Sequence, residues 1–394
     1  MTADQDVLPH SAVVPSLADL TTLRVGGPVS AYVEARTEHE LLDAVREADE
    51  SGTPLLVVGG GSNLLVADEG FDGVVVRDMR SGLEVASQDA CGGAVATAPA
   101  GHRWDDLVRE AVESEWFGIE ALAGIPGTVG AAPVQNIGAY GQEVSSSLAS
   151  IRVWDRARSR VRTLVNAELG FGYRTSVLKR SMHVSGRQAG DGDPRAPWYP
   201  SPRYVVLDVT LQLRLGSLSA PIAYGQLAAQ LGAEQGDRVP SKDLREAVLA
   251  LRGGKGMVLD DPAGPTGPDH DRWSAGSFFT NPIVSAAHAQ RLPEGAPRFT
   301  VRSAEQEGGD DAEQAGVKVS AAWLIQHAGF EPGFGLTGEN SPARLSTKHT
   351  LALTNRGTAR AEDLIALARA VRDGVRDRFG VTLVPEPVLV GVTL

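Results

Sequence analysis

Cysteine is nearly missing from this chain: Cys91 is the only one in 394 residues. A lone thiol forms no intrachain disulfide and no Cys-x-x-Cys redox or zinc pair, which fits a reducing compartment. Cys91 itself reads as a small buried side chain. Long apolar runs are missing as well, none approaching the roughly 18 residues that cross a bilayer. The opening stretch, MTADQDVLPHSAVVPS, carries acids where a secretory signal carries bases. The expected address is the cytoplasm, with no membrane partner. Runs of lysine and arginine are absent too, and the formal net charge of −12 with a pI near 5.2 repels a phosphate backbone, so nucleic acid is excluded as a partner. No histidine or acidic cluster has metal-ligand spacing; His270, in HDRW, reads as loop, and no metal is expected.

What is present is an ordinary folded composition, 42% hydrophobic and 22% charged, in a chain long enough for about two to three domains. A first α/β unit runs to about residue 80. Thr37 and Glu40 have capping-box spacing ahead of a helix whose apolar face is Leu41, Leu42 and Val45, and strands follow at 54–58 and 73–78. A second region spans 81–215. It holds a strand in AVATAPAG, an amphipathic helix in HRWDDLVREAVESEW, a strand in IRVWDR and a strand at 204–215 whose alternation suggests half exposure. Between them, 180–203 is rich in Gly, Pro, Asp and Arg and reads as a long surface loop. From 216 to 381 helices dominate, the last with Leu364, Ile365, Leu367, Ala368, Val371 and Val375 on one face, while the acidic stretch 303–316 reads as a solvated loop. No repeat of fixed period is present.

Two glycine-rich loops stand out. VVGGGSNLL, at 57–65, follows a buried strand, and three glycines permit positive φ and close approach of peptide N–H groups to a ligand, an arrangement suited to phosphate oxygens. It is not a dinucleotide fingerprint, because the sixth position is Leu64 and the chain turns again at once. GGKGM is not a P-loop, because Gly256 stands where Ser or Thr is required. Alone, GGGS is most often a tight turn. ALAGIPGTVGAAPVQNIGAYG, at 121–141, shifts that balance: it has no charged residue and too many glycines for a good helix, as befits backbone wrapped around a large ligand carrying a diphosphate.

These loops, together with FGYRTSVLK, SAGSFFTNP and LVPEPVLVG in that order, resemble the UDP-N-acetylenolpyruvoylglucosamine reductases, flavoenzymes of peptidoglycan precursor synthesis. The resemblance spans roughly 21–391 and implies a multidomain α+β/α/β fold. In it, a two-part FAD-binding region of the vanillyl-alcohol-oxidase-like (PCMH) type, 1–80 and 81–215, is joined by the C-terminal strand 382–394. A substrate-binding domain, 216–381, closes over it. FAD is expected to be noncovalent, NADPH the reductant, a nucleotide sugar the substrate, and a monomer the working form. By the same resemblance Gly59, Gly60, Gly61, Ser62, Asn63 and Leu64, with Gly124, Ile125, Pro126, Gly127, Gly130, Asn136, Gly138 and Ala139, contact the cofactor.

The reaction it implies adds hydride to a polarised C=C and then protonates an enolate. Arg174 matches the family's arginine and supplies a fixed fork of charge for the substrate carboxylate. Glu386, held between prolines, matches a glutamate that orients or polarises the intermediate. Ser277 matches the proton donor, a weak acid that serves only a strongly basic carbon; Ser274 is its neighbour. Tyr224 and Lys255 correspond to groups on the substrate diphosphate, and Tyr140, Tyr173 and Asn281 to further pocket positions. The lysine usual after SFF is Thr280 here. Without the motifs, Arg174 reads as a surface salt bridge and Glu386 as a solvated acid. Two alternatives belong to other classes: a sugar or lactone oxidase of the same fold, disfavoured because neither glycine loop offers His or Cys to tether a flavin, and a nucleotide-sugar binder without catalysis.

Overall fold

The computed structural model describes residues 14–182, 198–259, 268–301 and 316–394. Most of the 180–203 loop and of the acidic 303–316 stretch lies outside them.

The chain opens with a short helix α1 (Leu17–Leu20), strand β1 (Val29–Ala35), helix α2 (Glu38–Ser51) and strands β2 (Leu55–Val58), β3 (Leu64–Val66) and β4 (Phe71–Asp78). The Thr37–Glu40 box forms as expected: Thr37 Oγ1 accepts from the Glu40 amide at 3.2 Å, and the Glu40 carboxylate accepts from the Thr37 amide at 3.0 Å. β4 lies between β1 and β2, all parallel, and Leu41, Leu42, Val45 and Ala48 of α2 close one face of this sheet.

The second region adds β5 (Glu84–Asp89), β6 (Gly93–Pro99), α3 (Trp104–Glu113), β7 (Trp116–Phe117), β8 (Gly138–Ala139), β9 (Gln142–Glu143), β10 (Leu148–Asp155), β11 (Arg160–Val165), α4 (Val177–Arg180) and β12 (Tyr204–Leu215). Its main sheet runs in the order β11-β10-β12-β6-β5, antiparallel throughout, with β7 against the end of β12. β12 is the half-exposed strand its alternation suggests only over its second half, where Gln212 and Arg214 are exposed beside buried Leu211 and Leu213. The stretch Val205–Val209 is buried throughout, with Val206 and Val209 in the core under α3 and Val205 and Leu207 in the core under α2. Ion pairs seal that seam, with Arg152 between Glu38 and Asp208 at 3.0 and 2.5 Å and Arg156 on Asp49 at 2.5 Å. Cys91 also departs from expectation, being exposed in the β5–β6 turn where its amide donates to Asp89.

Helices α5 (Gly225–Leu231) and α6 (Ser241–Gly254) lie beyond residue 216, yet Leu227, Ala228, Leu244 and Val248 share the core of the second region. The remaining elements are β13 (Ile283–Val284), α7 (Ala286–Arg291), β14 (Arg298–Val301), β15 (Gly316–Val319), α8 (Ala321–His327), β16 (Ala343–Leu345), β17 (Leu353–Asn355), α9 (Ala361–Phe379) and β18 (Val388–Val390). They surround a separate core in which Leu364, Leu367, Ala368, Val371 and Val375 of α9 meet Leu324 and Ile325 of α8 and the Phe278–Phe279 pair.

β18 then leaves this core and pairs in parallel with β3, Leu389 opposite Leu65. Side chains alternate between two cores along this pair. Leu65 and Leu389 face the α8–α9 core, whereas Val66, Val388 and Val390 face the first sheet. Leu389, 1% exposed, therefore anchors the chain end that carries Glu386. Leu389→Ala is expected to lower stability by about 2–5 kcal/mol, read as a shift of the urea midpoint; an unchanged midpoint would mean the strand pair bears no weight.

Candidate functional site

A cavity of about 270 Å³ opens where the three regions meet, and both glycine loops, Arg174, Ser277 and Glu386 line it. Each arrives from a different element: the loop after β2, the loop before β8, the segment ahead of α4, the strand-like run into Phe278, and the approach to β18.

In the first loop Gly61 has φ +60°, and a Cβ on Gly60 would stand 2.7 Å from the Gly127 Cα, so the two loops touch backbone to backbone. Ser62 Oγ donates to the Pro126 carbonyl at 3.0 Å and fastens them. Among the described residues the amides of Gly60, Gly61, Ser62 and Asn63 donate to no protein acceptor. Four consecutive free N–H groups beside Ile125 and Pro126 form a concave, apolar-walled donor set that fits a diphosphate ester with an aromatic body.

Not every residue expected at the cofactor faces this cavity. Gly124 donates its amide to Asp105 at 2.7 Å, and buried Gly130 donates to the Ala100 carbonyl at 2.9 Å. Ala139 pairs with Gln142 in the β8–β9 hairpin. Asn136, 1% exposed, spends its side chain inside the fold: Nδ2 donates to Glu143 and to the Gly172 carbonyl, and Oδ1 accepts from the Ser145 amide. It braces the loop rather than reaching into the cavity with its side chain.

The charged centre is compact. Arg174 Nε lies 3.1 Å from Glu386 Oε1, and Arg174 Nη2 donates to the Gly138 carbonyl at 3.1 Å, with the backbone of Arg174 held at φ 54°. Glu386 is only 8% exposed. Its backbone is clamped, the amide donating to the Phe278 carbonyl at 2.8 Å, which places the glutamate beside the Gly276–Ser277 turn. Ser277 Oγ has no hydrogen-bond partner among the described residues and faces the cavity; Ser274 accepts from the Gly276 amide at 3.2 Å and shapes the turn. Tyr173 accepts from the Asn281 amide at 3.2 Å, and burial raises its pKa above the ordinary tyrosine value. The Asn281 side chain is committed to the Ala321 amide at 2.9 Å.

A second cluster lies next to it along the β8 hairpin. Tyr140 and half-exposed Tyr224 meet edge to face at 5.7 Å, and Lys255 Nζ stands 5.7 Å above the Tyr140 ring while donating to Gln226 at 3.0 Å. Burial, reinforced by the Arg252 guanidinium, pushes the Lys255 pKa down. Burial and the same two cations push His349 down to about 4, so it is a neutral imidazole at physiological pH. Cations held against their desolvation cost, with no carboxylate paired to Lys255 among the described residues, make a ready receptor for an anion.

Sequence reasoning missed three members. Gln135 and Lys179 sit inside quoted motifs, at PVQN and SVLK, and Arg252 directly precedes GGKGM, yet a glutamine, a lysine and an arginine carry no spacing signal of their own. Arg252 is 9% exposed and donates to the Met257 carbonyl at 3.3 Å. His270 packs edge-on against Trp273 at 4.5 Å, away from the charged centre.

Residues 29–164 match the family described as FAD binding domain, and residues 268–390 match the UDP-N-acetylenolpyruvoylglucosamine reductase, C-terminal domain. The UDP-N-acetylenolpyruvoylglucosamine reductase of Cutibacterium acnes is 52% identical over 378 residues, covering 96% of this chain and 90% of its own. That of Thermobifida fusca is 50% identical over 384 residues, covering 96% and 97%. The crystal structure of the Thermus caldophilus reductase superposes with a TM-score of 0.57 at 26% identity, covering 95% of this chain and 97% of that one.

The brace assigned to Asn136 is testable without any ligand. Asn136→Leu strands buried partners at about 1–3 kcal/mol each, so the ligand-free protein should show a clearly lower urea midpoint; a midpoint equal to wild type would return Asn136 to the cavity.

Proposed function

We infer that this chain, which belongs to the UDP-N-acetylenolpyruvoylglucosamine reductase family, reduces the enolpyruvyl group of UDP-N-acetylenolpyruvoylglucosamine to the lactyl ether of UDP-N-acetylmuramate at the expense of NADPH. The observation that carries the reading is the convergence of Arg174, Glu386 and Ser277 on a cavity walled by two glycine loops, the first of which keeps free amides. Those loops, principally Gly60 to Asn63, would hold the FAD diphosphate, and the apolar wall at Ile125 and Pro126 its ring system. Bound FAD supplies the hydride, which NADPH replenishes.

The chain's own residues do the rest. As hydride adds to the terminal alkene carbon, the π pair moves onto the neighbouring carbon and its carboxylate. Arg174 retains guanidinium donors beyond those turned to Glu386 and Gly138, and these stabilise the growing charge where water is excluded. Ser277 Oγ, uncommitted within the protein, delivers a proton to that carbon and completes the lactyl group. Glu386 fixes the guanidinium plane. Lys255, Tyr224 and Tyr140 hold the substrate diphosphate. The family resemblance carries the expectation of a monomer working in the cytoplasm.

Anaerobic addition of NADPH should bleach a flavin band and addition of the enolpyruvyl substrate restore it; a flavin that only oxygen reoxidises would point to an oxidase instead. Ser277→Ala should leave bleaching by NADPH intact and slow the return by about a hundredfold, near 2.7 kcal/mol of barrier; equal loss in both steps would remove Ser277 from the role. Because the Lys255 pKa is lowered, affinity for UDP should fall as pH rises through a value below the ordinary lysine range, and Lys255→Gln should abolish that dependence in a calorimetric titration.

A further inference from the structure

We propose that Lys179 is a positioning residue for this reduction: acting through the Gln135 amide and the Glu386 main-chain carbonyl, its ammonium group holds the Glu386 carboxylate against Arg174. The proposal rests on the functional reading above and adds a residue to it.

The Lys179 ammonium donates to the Glu386 carbonyl at 3.2 Å and to Gln135 Oε1 at 3.4 Å. Gln135 Oε1 also accepts from Asn63 Nδ2 at 2.9 Å, and Gln135 Nε2 donates to Glu386 Oε1 at 3.3 Å. The orientation of this amide follows from Lys179. An ammonium has donors only and an ionised carboxylate acceptors only, so the glutamine must turn oxygen to lysine and nitrogen to glutamate. The same Glu386 Oε1 is the atom 3.1 Å from Arg174 Nε. A chain of contacts therefore runs from Lys179 through Gln135 to the carboxylate oxygen that meets Arg174, with Asn63 of the first glycine loop as its other support.

Local structure delivers Lys179 to this point. It lies on α4, five residues beyond Arg174, and Ser176 both caps that helix, accepting from the Leu178 amide at 3.1 Å, and donates to the Val134 carbonyl at 2.6 Å, next to Gln135. One short segment thus places both cations on the two sides of Glu386. Stability does not account for Lys179. Among the described residues its ammonium meets two neutral dipoles and no carboxylate within ion-pair distance, and an apolar side chain of the same length would avoid the desolvation. Burial lowers its pKa, the Glu386 charge opposes that and Arg174 adds to it; these are the charged groups that face it.

The test follows the two half-reactions of the FAD-loaded full chain by rapid mixing, together with the melting temperature of the ligand-free protein, for Lys179→Met, Lys179→Arg and Gln135→Leu. Lys179→Met should melt at or above the wild-type temperature and be reduced by NADPH much as wild type is. Its reoxidation by the enolpyruvyl substrate should slow about ten- to hundredfold, the size typical of losing a residue that orients a reacting group. Gln135→Leu should show the same selective loss, and Lys179→Arg should recover part of the rate. At saturating substrate the wild-type rate should fall toward that of Lys179→Met as pH rises and Lys179 loses its proton, below the ordinary lysine range, and the variant should lack this limb. Wild-type reoxidation in Lys179→Met, or a lowered melting temperature with both half-reactions slowed alike, would overturn the proposal alone. A wild-type flavin that the substrate fails to reoxidise would overturn the functional reading, and this one with it.

Discussion

Everything at the site depends on one short parallel ladder, Leu64–Val66 against Val388–Val390. Parallel partners cannot be joined by a tight turn, and here more than three hundred residues separate the two strands. The intervening chain must fold first into a sheet, a second sheet and a helical core before its end can return. When it does, the residue opposite Leu64 is Val388, which brings Glu386 to the side of Asn63 and the glycine loop. A one-residue slip would swap the faces of the alternating side chains, exposing Leu389 to the wrong core and moving the glutamate off Arg174. Register of three apolar pairs is thus what sets the geometry of a charged centre.

The second constraint is backbone proximity. The loop after β2 and the loop before β8 approach at Gly60 and Gly127 more closely than side chains permit. That contact uses up the space on one side of the loop, and Gly60 to Asn63, whose amides meet no protein acceptor among the described residues, line the cavity. A glycine here serves a close contact between two loops of the chain, and the free donors beside it are a by-product. The same reasoning separates Gly130, whose amide is already bonded to Ala100, from the glycines that keep a free donor.

This distinction also marks what could be read from the sequence. The periodicity around Leu41 and around Leu364 placed α2 and α9, because a helix face packed on a sheet or another helix imposes 3.6-residue spacing. Thr37 and Glu40 announced a cap because their hydrogen bonds are local. Tyr204–Leu215 is half-exposed in its second half, as its alternation says, with Gln212 and Arg214 outward; it misled only over Val205–Val209, where a second core covers the other face and no local pattern announces it. Cys91 misled because its burial depended on a hairpin whose outward side nothing local specifies. Arg174, Ser277 and Glu386 were legible only as members of ordered motifs. Gln135 and Lys179 became visible only when three distant segments met, since a hydrogen-bond relay has no spacing in sequence.

Charge gives the last step. The chain as a whole carries −12, yet the cavity and its margin gather Arg174, Lys179, Lys255 and Arg252, with Lys318 4.7 Å over the Tyr173 ring. Thr280, where a lysine is usual, spends its amide on the Val384 carbonyl at 3.0 Å and so helps fix the approach to Glu386 instead of adding charge. Among the described residues Arg174 alone of these cations has a carboxylate as its direct partner, and that carboxylate, Glu386, lines the same cavity. For Lys179, Lys255 and Arg252, burial works against the charged form. Under the proposed reading, a dianionic diphosphate and a carboxylate would bring the missing negative charge and offset the desolvation already imposed by folding. A net charge of −12 over the whole chain disfavours extended polyanions, whereas a compact anion meets the local cluster of cations at the cavity.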